Sequence, residues 1–262
     1  MIYITKIIVL CGGISSRWNN YLGVEKHFAQ FNNCSIIENT LNILSTYNVS
    51  ISILVREDNL HLYTFLNQDL FTISRENAIL EFYKIKATYN LWSNSGKTII
   101  LMGDVWFTAN ALKRIINSRS TKLLFWGRQK KNYHTNCKHG ELFALSFYPS
   151  SHNLLKSATS TLENLILNEG VEIAGGWGIY NIISGLSHLM SKERIVKGKA
   201  LFSNFNNILD ITDDIDTPKD YENIKLTLSV SHIEYLLRSI KMKFHYFLIT
   251  IYNIFFELLR HC

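Results

Sequence analysis

The stretch KIIVLCGGISSR, Lys6 to Arg17, decides how this chain is read. Its first half, Lys6 to Cys11, is an unbroken apolar and β-branched run, the pattern of a strand covered on both faces. The run ends at Gly12-Gly13, where the lack of side chains allows a sharp turn and brings backbone N–H groups close to a ligand. Buried strands of this kind belong to parallel sheets, and parallel neighbours need helical crossovers between them.

The following residues supply those crossovers. Ser35 to Ser45 puts Ile36, Ile37, Thr40, Leu41 and Leu44 on one helical face, with Ser35 as a cap. Ser50 to Val55, Thr98 to Met102 and Thr121 to Trp126 read as further strands, and Ala109 to Ile116 as the helix between the last two. Between Gln129 and Phe147 the alternation loosens, which predicts an antiparallel excursion. Ser151 to Asn168 reads as a helix, Gly175 to Gly178 as a turn-rich loop and Ile179 to Met190 as another helix. The rhythm implies an α/β fold, a Rossmann-like mixed and mostly parallel sheet with helices on both faces. From Ser231 apolar residues recur at three- and four-residue steps, which predicts a C-terminal helical tail. Residues 1–226 are therefore expected to form the main domain and 227–262 an apolar, amphipathic extension.

Bulk properties narrow the classes. With 262 residues, 47% apolar and two prolines, the chain reads as a packed protein and not a disordered one. A net charge of +6 suits an anionic ligand, yet it does not choose between a nucleotide, a nucleic acid and a membrane surface. The four cysteines are dispersed without metal-ligand spacing, a pattern of reduced thiols in the cytoplasm. The N-terminus lacks a cleavage-site pattern and reads as a strand. Phe244 to Leu259 is apolar but short for a spanning helix and carries His245 and Glu257.

Three motifs carry chemistry. In the first, Leu10, Gly12 and Gly13 with Ser15, Ser16, Arg17 and the later Lys26 combine a tight turn, hydroxyl donors and fixed positive charge, a set able to cradle a triphosphate. An ordinary turn with solvated basic residues is the plainer alternative. No GxGxxG is present, and Gly96-Lys97-Thr98 is not a P-loop, because Leu91 stands where its first glycine belongs and a strand follows. In the second motif, Gly103-Asp104-Val105 follows strand TIILM at the sheet edge where open α/β folds bind ligands, so Asp104 can hold Mg²⁺ or can cap the next helix. The third is DITDDIDTPKDY, Asp210 to Tyr221, whose Thr217-Pro218 is a helix start. Its crowded carboxylates repel one another unless a cation joins them, and an acidic, solvated loop is the alternative.

The order LxGGxSSR, lysine, GDV and DxDTPxDY resembles the MobA-like NTP-transferase family, part of the nucleotide-diphospho-sugar transferase superfamily, over roughly residues 5 to 225. The resemblance implies a GT-A-like nucleotidyltransferase fold and transfer of NMP from an NTP to a phosphorylated small molecule, as in making precursors of cell-surface polysaccharide. It implies that Arg17 and Lys26 act on the phosphates, and that Mg²⁺ is held by Asp104 and by Asp216, with Asp214 the second choice. Cys11 and Glu25 depart from the family pattern, where alanine and proline are usual. The base stays open, with CTP favoured because the chain is compact and lacks a left-handed helix domain. Glu141 in GELFALSFY is a candidate for contacting the acceptor, and the Trp177 loop falls where such a pocket could form. A GT-A glycosyltransferase and a non-catalytic nucleotide-binding protein are the competing readings. No nucleic-acid partner is expected. The tail is expected to pack or to form a homodimer, and contact with a membrane periphery is not expected.

Overall fold

In the computed structural model, which describes residues 4–128, 132–137, 140–169, 175–185 and 204–260, β1 (Thr5–Leu10) is the strand announced by KIIVLC. It lies between β4 (Val49–Arg56) and β6 (Thr98–Met102), parallel to both. The register sets Leu10 beside Leu54 and Met102, so β1 and β6 reach their carboxyl ends together while β4 runs on to Arg56. β5 (Asp69–Ile73) extends the sheet beyond β4. On the other side come β9 (Glu141–Phe147), β8 (Leu124–Arg128) and β10 (Phe205–Asn207), giving the seven-strand order β10-β8-β9-β6-β1-β4-β5. β9 runs antiparallel to both neighbours, the excursion expected between Gln129 and Phe147.

The helices begin where local chemistry tells them to. Ser35 caps α1 (Ile36–Leu44) through a reciprocal capping box with Glu38. Thr108 caps α3 (Ala109–Asn117), so Asp104 is not that helix's cap. Thr217 and Asp220 form a second capping box on α6 (Pro218–Ser229), with proline at its first turn. The discarded Lys97 has a structural task. Its buried ammonium donates to the carbonyls of Ile115, Ile116 and Ser118 at 2.8–2.9 Å and satisfies the open carboxyl end of α3.

Several expectations are corrected. The strand predicted over Thr121 to Trp126 starts at Leu124 and ends at Arg128. Gly175 to Gly178 is not a loop: α5 (Gly176–Ile183) begins there, and Trp177 is a core residue stacked on Phe205 at 5.5 Å. The helix expected over Ile179 to Met190 ends at Ile183, with Ser184 and Gly185 in a turn, and its part beyond residue 185 lies outside the described residues. β5 and α2 (Glu81–Ala87) went unrecognised, because both are short and β5 buries only Ile73, leaving no periodicity. The helices α4 (His152–Glu169) and α7 (His232–Arg260) agree with the reading.

The main core lies on both faces of the sheet. A second cluster, Trp18, Phe31, Trp106, Ile215, Tyr221 and Ile224, joins the loop after β1 to α6. Its rings pack edge-on or tilted, Trp18 to Tyr221 at 5.9 Å and Phe31 to Tyr221 at 4.5 Å, and the Tyr221 hydroxyl donates to the Gln30 carbonyl at 2.7 Å. This satellite core fixes the loop carrying Lys26 against the segment carrying Asp216.

Candidate active site

Backbone contacts assemble the acids first. The Gly103 N–H donates to the Leu10 carbonyl at 3.0 Å, and a Cβ at position 103 would stand 2.7 Å from that oxygen, so only glycine permits β6 to end this close to β1. Asp104 follows at once. β7 (Val105–Trp106) then pairs antiparallel with β11 (Asp213–Asp214), setting Val105 opposite Asp214. The Ile215 N–H donates to the Asp104 carbonyl at 2.9 Å. Two acidic motifs more than a hundred positions apart are thus clipped together by main chain.

The cations close the arrangement. Lys26 Nζ lies 2.7 Å from Asp104 Oδ2 and 3.4 Å from Asp216 Oδ1, and Arg17 reaches Asp216 Oδ2 at 2.5 Å. Burial alone would push the Lys26 pKa down, but the carboxylates of Asp104 and Asp216 outweigh it and the pKa is raised. Burial likewise works against the Asp104 carboxylate, yet Lys26 holds its pKa below the ordinary value. Both stay charged at neutral pH. An ammonium therefore bridges two carboxylates under the glycine turn.

The four late acids have different partners. Asp210 accepts from the Thr108 hydroxyl at 2.7 Å and from the Thr212 N–H, tying the start of α3 to this loop. Asp213 pairs with Arg128 at 2.7 Å. Asp216 meets Arg17 and Lys26. Asp214 faces the cleft, where burial and then the charges of Glu141, Asp213, Asp216 and Asp104 raise its pKa well above the ordinary carboxylate value. Burial and the neighbouring carboxylates both disfavour its charged form, and a cation there would relieve that cost. Asp104, Asp214 and Asp216 offer only carboxylate oxygens, a donor set that suits a hard divalent ion such as Mg²⁺ also bound by phosphate oxygens. Their spacing is wider than that of Cys137, Asp213 and Asp214, whose ligand atoms lie within 4.8 Å of one another. In that tighter group Asp213 is already neutralised by Arg128, and a thiol suits Mg²⁺ poorly.

The resulting cleft, about 310 Å³, is lined by Leu10, Gly13, Ser15, Arg17, Lys26, Asp104, Glu141, Asp214 and Asp216, among others. Gly12 and Ser16 are not among its lining. Gly12 is a packing position, since a Cβ there would stand 2.8 Å from Ile73 Cγ2, and Ser16 borders a separate shallow pocket with Arg56 and Arg75. Ser15 lines the cleft, but its hydroxyl donates to Glu25 at 2.8 Å, so the residue that departs from the family pattern holds the loop in place. Arg56 adds a hydrogen bond to the Gly13 carbonyl at 2.9 Å. His27, next to Lys26, is buried 2.7 Å from the Tyr63 hydroxyl, and burial with the Lys26 charge pushes its pKa down to about 4.

Sequence reasoning missed Glu81 and Lys84, which enter the cleft from α2. A Cβ on Gly13 would stand 3.3 Å from Lys84 Nζ, so this lysine lies directly against the glycine turn. Glu81 approaches the start of α5, where a Cβ on Gly175 would stand 2.8 Å from its Oε2. The usable signal was Gly175-Gly176, whose bare backbone leaves room for that carboxylate.

Comparison with solved structures agrees with the geometry. The chain is similar to a CTP:phosphocholine cytidylyltransferase from Streptococcus pneumoniae, with 16% identity over 87% of this chain and 100% of that one and a TM-score of 0.53. It is similar to an inositol-1-phosphate CTP transferase from T. maritima, with 15% identity over 87% and 98% and a TM-score of 0.50. The chain has the nucleotidyltransferase fold. No protein-family model matches it, and no curated protein matches it by sequence. Arg17, Lys26, Asp104, Glu141, Asp214 and Asp216 all line one cleft at the carboxyl ends of β1 and β6.

Proposed function

We propose that the protein transfers a nucleotidyl group from an NTP, with CTP favoured, to a phosphorylated small molecule and releases pyrophosphate. The observation that carries this reading is the Lys26 ammonium between Asp104 and Asp216, with Arg17 on the same carboxylate. A cleft of alternating charge can exchange these internal pairs for the oxygens of a triphosphate and its cation at little electrostatic cost. Two of the similar solved structures are named for CTP, which supports this base, while a third is named for a glucose-1-phosphate thymidylyltransferase and makes TTP the next to test.

In the proposed reaction an oxygen of the acceptor phosphate attacks the α-phosphorus in line. One P–O bond forms, the bond to the β-phosphate breaks, and the electron pair leaves with pyrophosphate. The attacking phosphate is already an anion, so no general base is needed. Lys26 and Arg17 neutralise charge that grows on the bridging oxygen and the departing group. Backbone N–H groups around Gly13, with Lys84 beside that turn, orient the phosphates, and Glu141 contacts the acceptor. Asp104 and Asp216, with Asp214 as the second choice, would hold Mg²⁺, which supplies Lewis-acid stabilisation of the phosphates.

The test is pyrophosphate release from the full chain with each of the four NTPs against a panel of phosphorylated alcohols, alditols and sugars. Release should depend on added Mg²⁺, stop with EDTA and be fastest with CTP. Release of a nucleoside diphosphate from a nucleotide sugar, or nucleotide binding without turnover on any acceptor, would replace this reading.

A further inference from the structure

The long helix α7 has two faces with opposite fates. One packs on the segment 132–137. Met242 and Tyr246 are buried, Tyr235 lies 4.7 Å from the His134 ring, and Arg238 donates to the His134 carbonyl at 2.7 Å. The other face is open. Ile233, Leu237, Ile240, Phe244, Phe247 and Ile251 follow one another at steps of three and four and are 47–71% exposed. With Leu236 and Leu248 beside them, they span an arc of about 120° at 3.6 residues per turn, wider than the narrow seam of a coiled coil.

The rims of this arc decide what it fits. By helical register Lys243 stands on one edge and Lys241 on the other, and both are exposed. Lys241 also lies over the Tyr133 ring at 5.1 Å, which holds it at the rim. Glu234, the only acid among the described side chains of α7, stands half exposed close to the Lys241 edge and is paired with Arg238. A second copy of the helix would offer these lysines no described carboxylate other than Glu234, which Arg238 already pairs. An anionic lipid surface would meet both, while the apolar arc enters the acyl boundary. No helix among the described residues is long and apolar enough to cross a membrane.

We infer that the outer face of α7 binds an anionic bilayer surface, lying in its plane, and so positions the protein there. This goes against the sequence expectation of no membrane contact and does not depend on the proposed reaction.

The experiment is co-sedimentation of the full chain with vesicles of phosphatidylcholine, with and without phosphatidylglycerol. Binding should be at least tenfold stronger to the anionic vesicles and fall as salt is raised. Ile240→Asn with Phe244→Ser should reduce it at least tenfold without lowering the melting temperature, since both side chains are exposed. Lys243→Ala should weaken it about fivefold. Equal binding to both vesicle types overturns the charge argument. No vesicle binding overturns the proposal outright. If the protein is then a dimer that Ile240→Asn with Phe244→Ser dissociates, the face is a self-association surface.

Discussion

Two charge clusters share the acidic loop after β10, and they are built to opposite ends. In the cleft, Arg17 and Asp216 have side chains 67% and 24% exposed, and acids outnumber their immediate cations. Three residues earlier in the same loop, Arg128 and Asp213 are 0% and 2% exposed. Asp213 is further held by Thr135 and by Asn132, whose side chain also orders the His134 N–H. Burial works against the Arg128 charge, but Asp213 keeps its pKa above the ordinary value. The comparison separates a site from a clamp. A buried pair with every lone pair answered has nothing left for a ligand, whereas an exposed, acid-rich cluster stays open to cations and phosphates.

The largest effect should come from the cleft. Arg17→Met is expected to lower pyrophosphate release by about 10²–10³-fold while the melting temperature changes little, because its side chain is 67% exposed and an exposed ion pair adds little stability. Full turnover in that variant would remove the cleft from the chemistry. Arg128→Met should do the reverse. It leaves Asp213 buried and unpaired, a loss of about 3–5 kcal/mol, visible as a lower denaturation midpoint, with kcat per folded molecule nearly kept. A fall in kcat at unchanged stability would show that the clamp takes part in turnover after all.

The third effect sharpens the contrast by pH. Each cluster has one buried neutral histidine, His27 beside Lys26 and His134 under α7, both with pKa pushed down to about 4, mainly by burial. Their folded pKa values lie below the ordinary value near 6.5, so the unfolded chain binds more protons between pH 6.5 and 4. Stability is therefore complete above 6.5 and falls as pH drops through this window, by at most about 2.7 kcal/mol per unit for two protons. Urea titrations at pH 7, 6 and 5 measure it. A flat midpoint would mean that both rings accept protons in place.

Local reading recovered what local chemistry specifies. The run KIIVLC, the caps Ser35 and Thr217, and strand TIILM are written in a few adjacent residues each, and they stand where expected. The cleft was legible in part, because Gly13, Arg17, Lys26, Asp104 and Asp216 belong to contiguous motifs. Lys84 and Glu81 were not, since a single lysine and a single glutamate on a seven-residue helix look like ordinary surface residues. Arg128 lies two residues beyond the strand read from the sequence, and nothing near it in the chain announces Asp213.

By itself, then, the sequence determined the parallel α/β arrangement, the glycine turn and the residue types able to handle phosphate, because hydrophobic period and turn chemistry act over a few residues. The tertiary structure alone decided which carboxylate meets which cation. That choice depends on the β7–β11 register, on the satellite core of Trp18, Phe31 and Tyr221, and on which face of α7 is covered. Each is a contact between residues far apart in the chain, and no local pattern encodes such contacts.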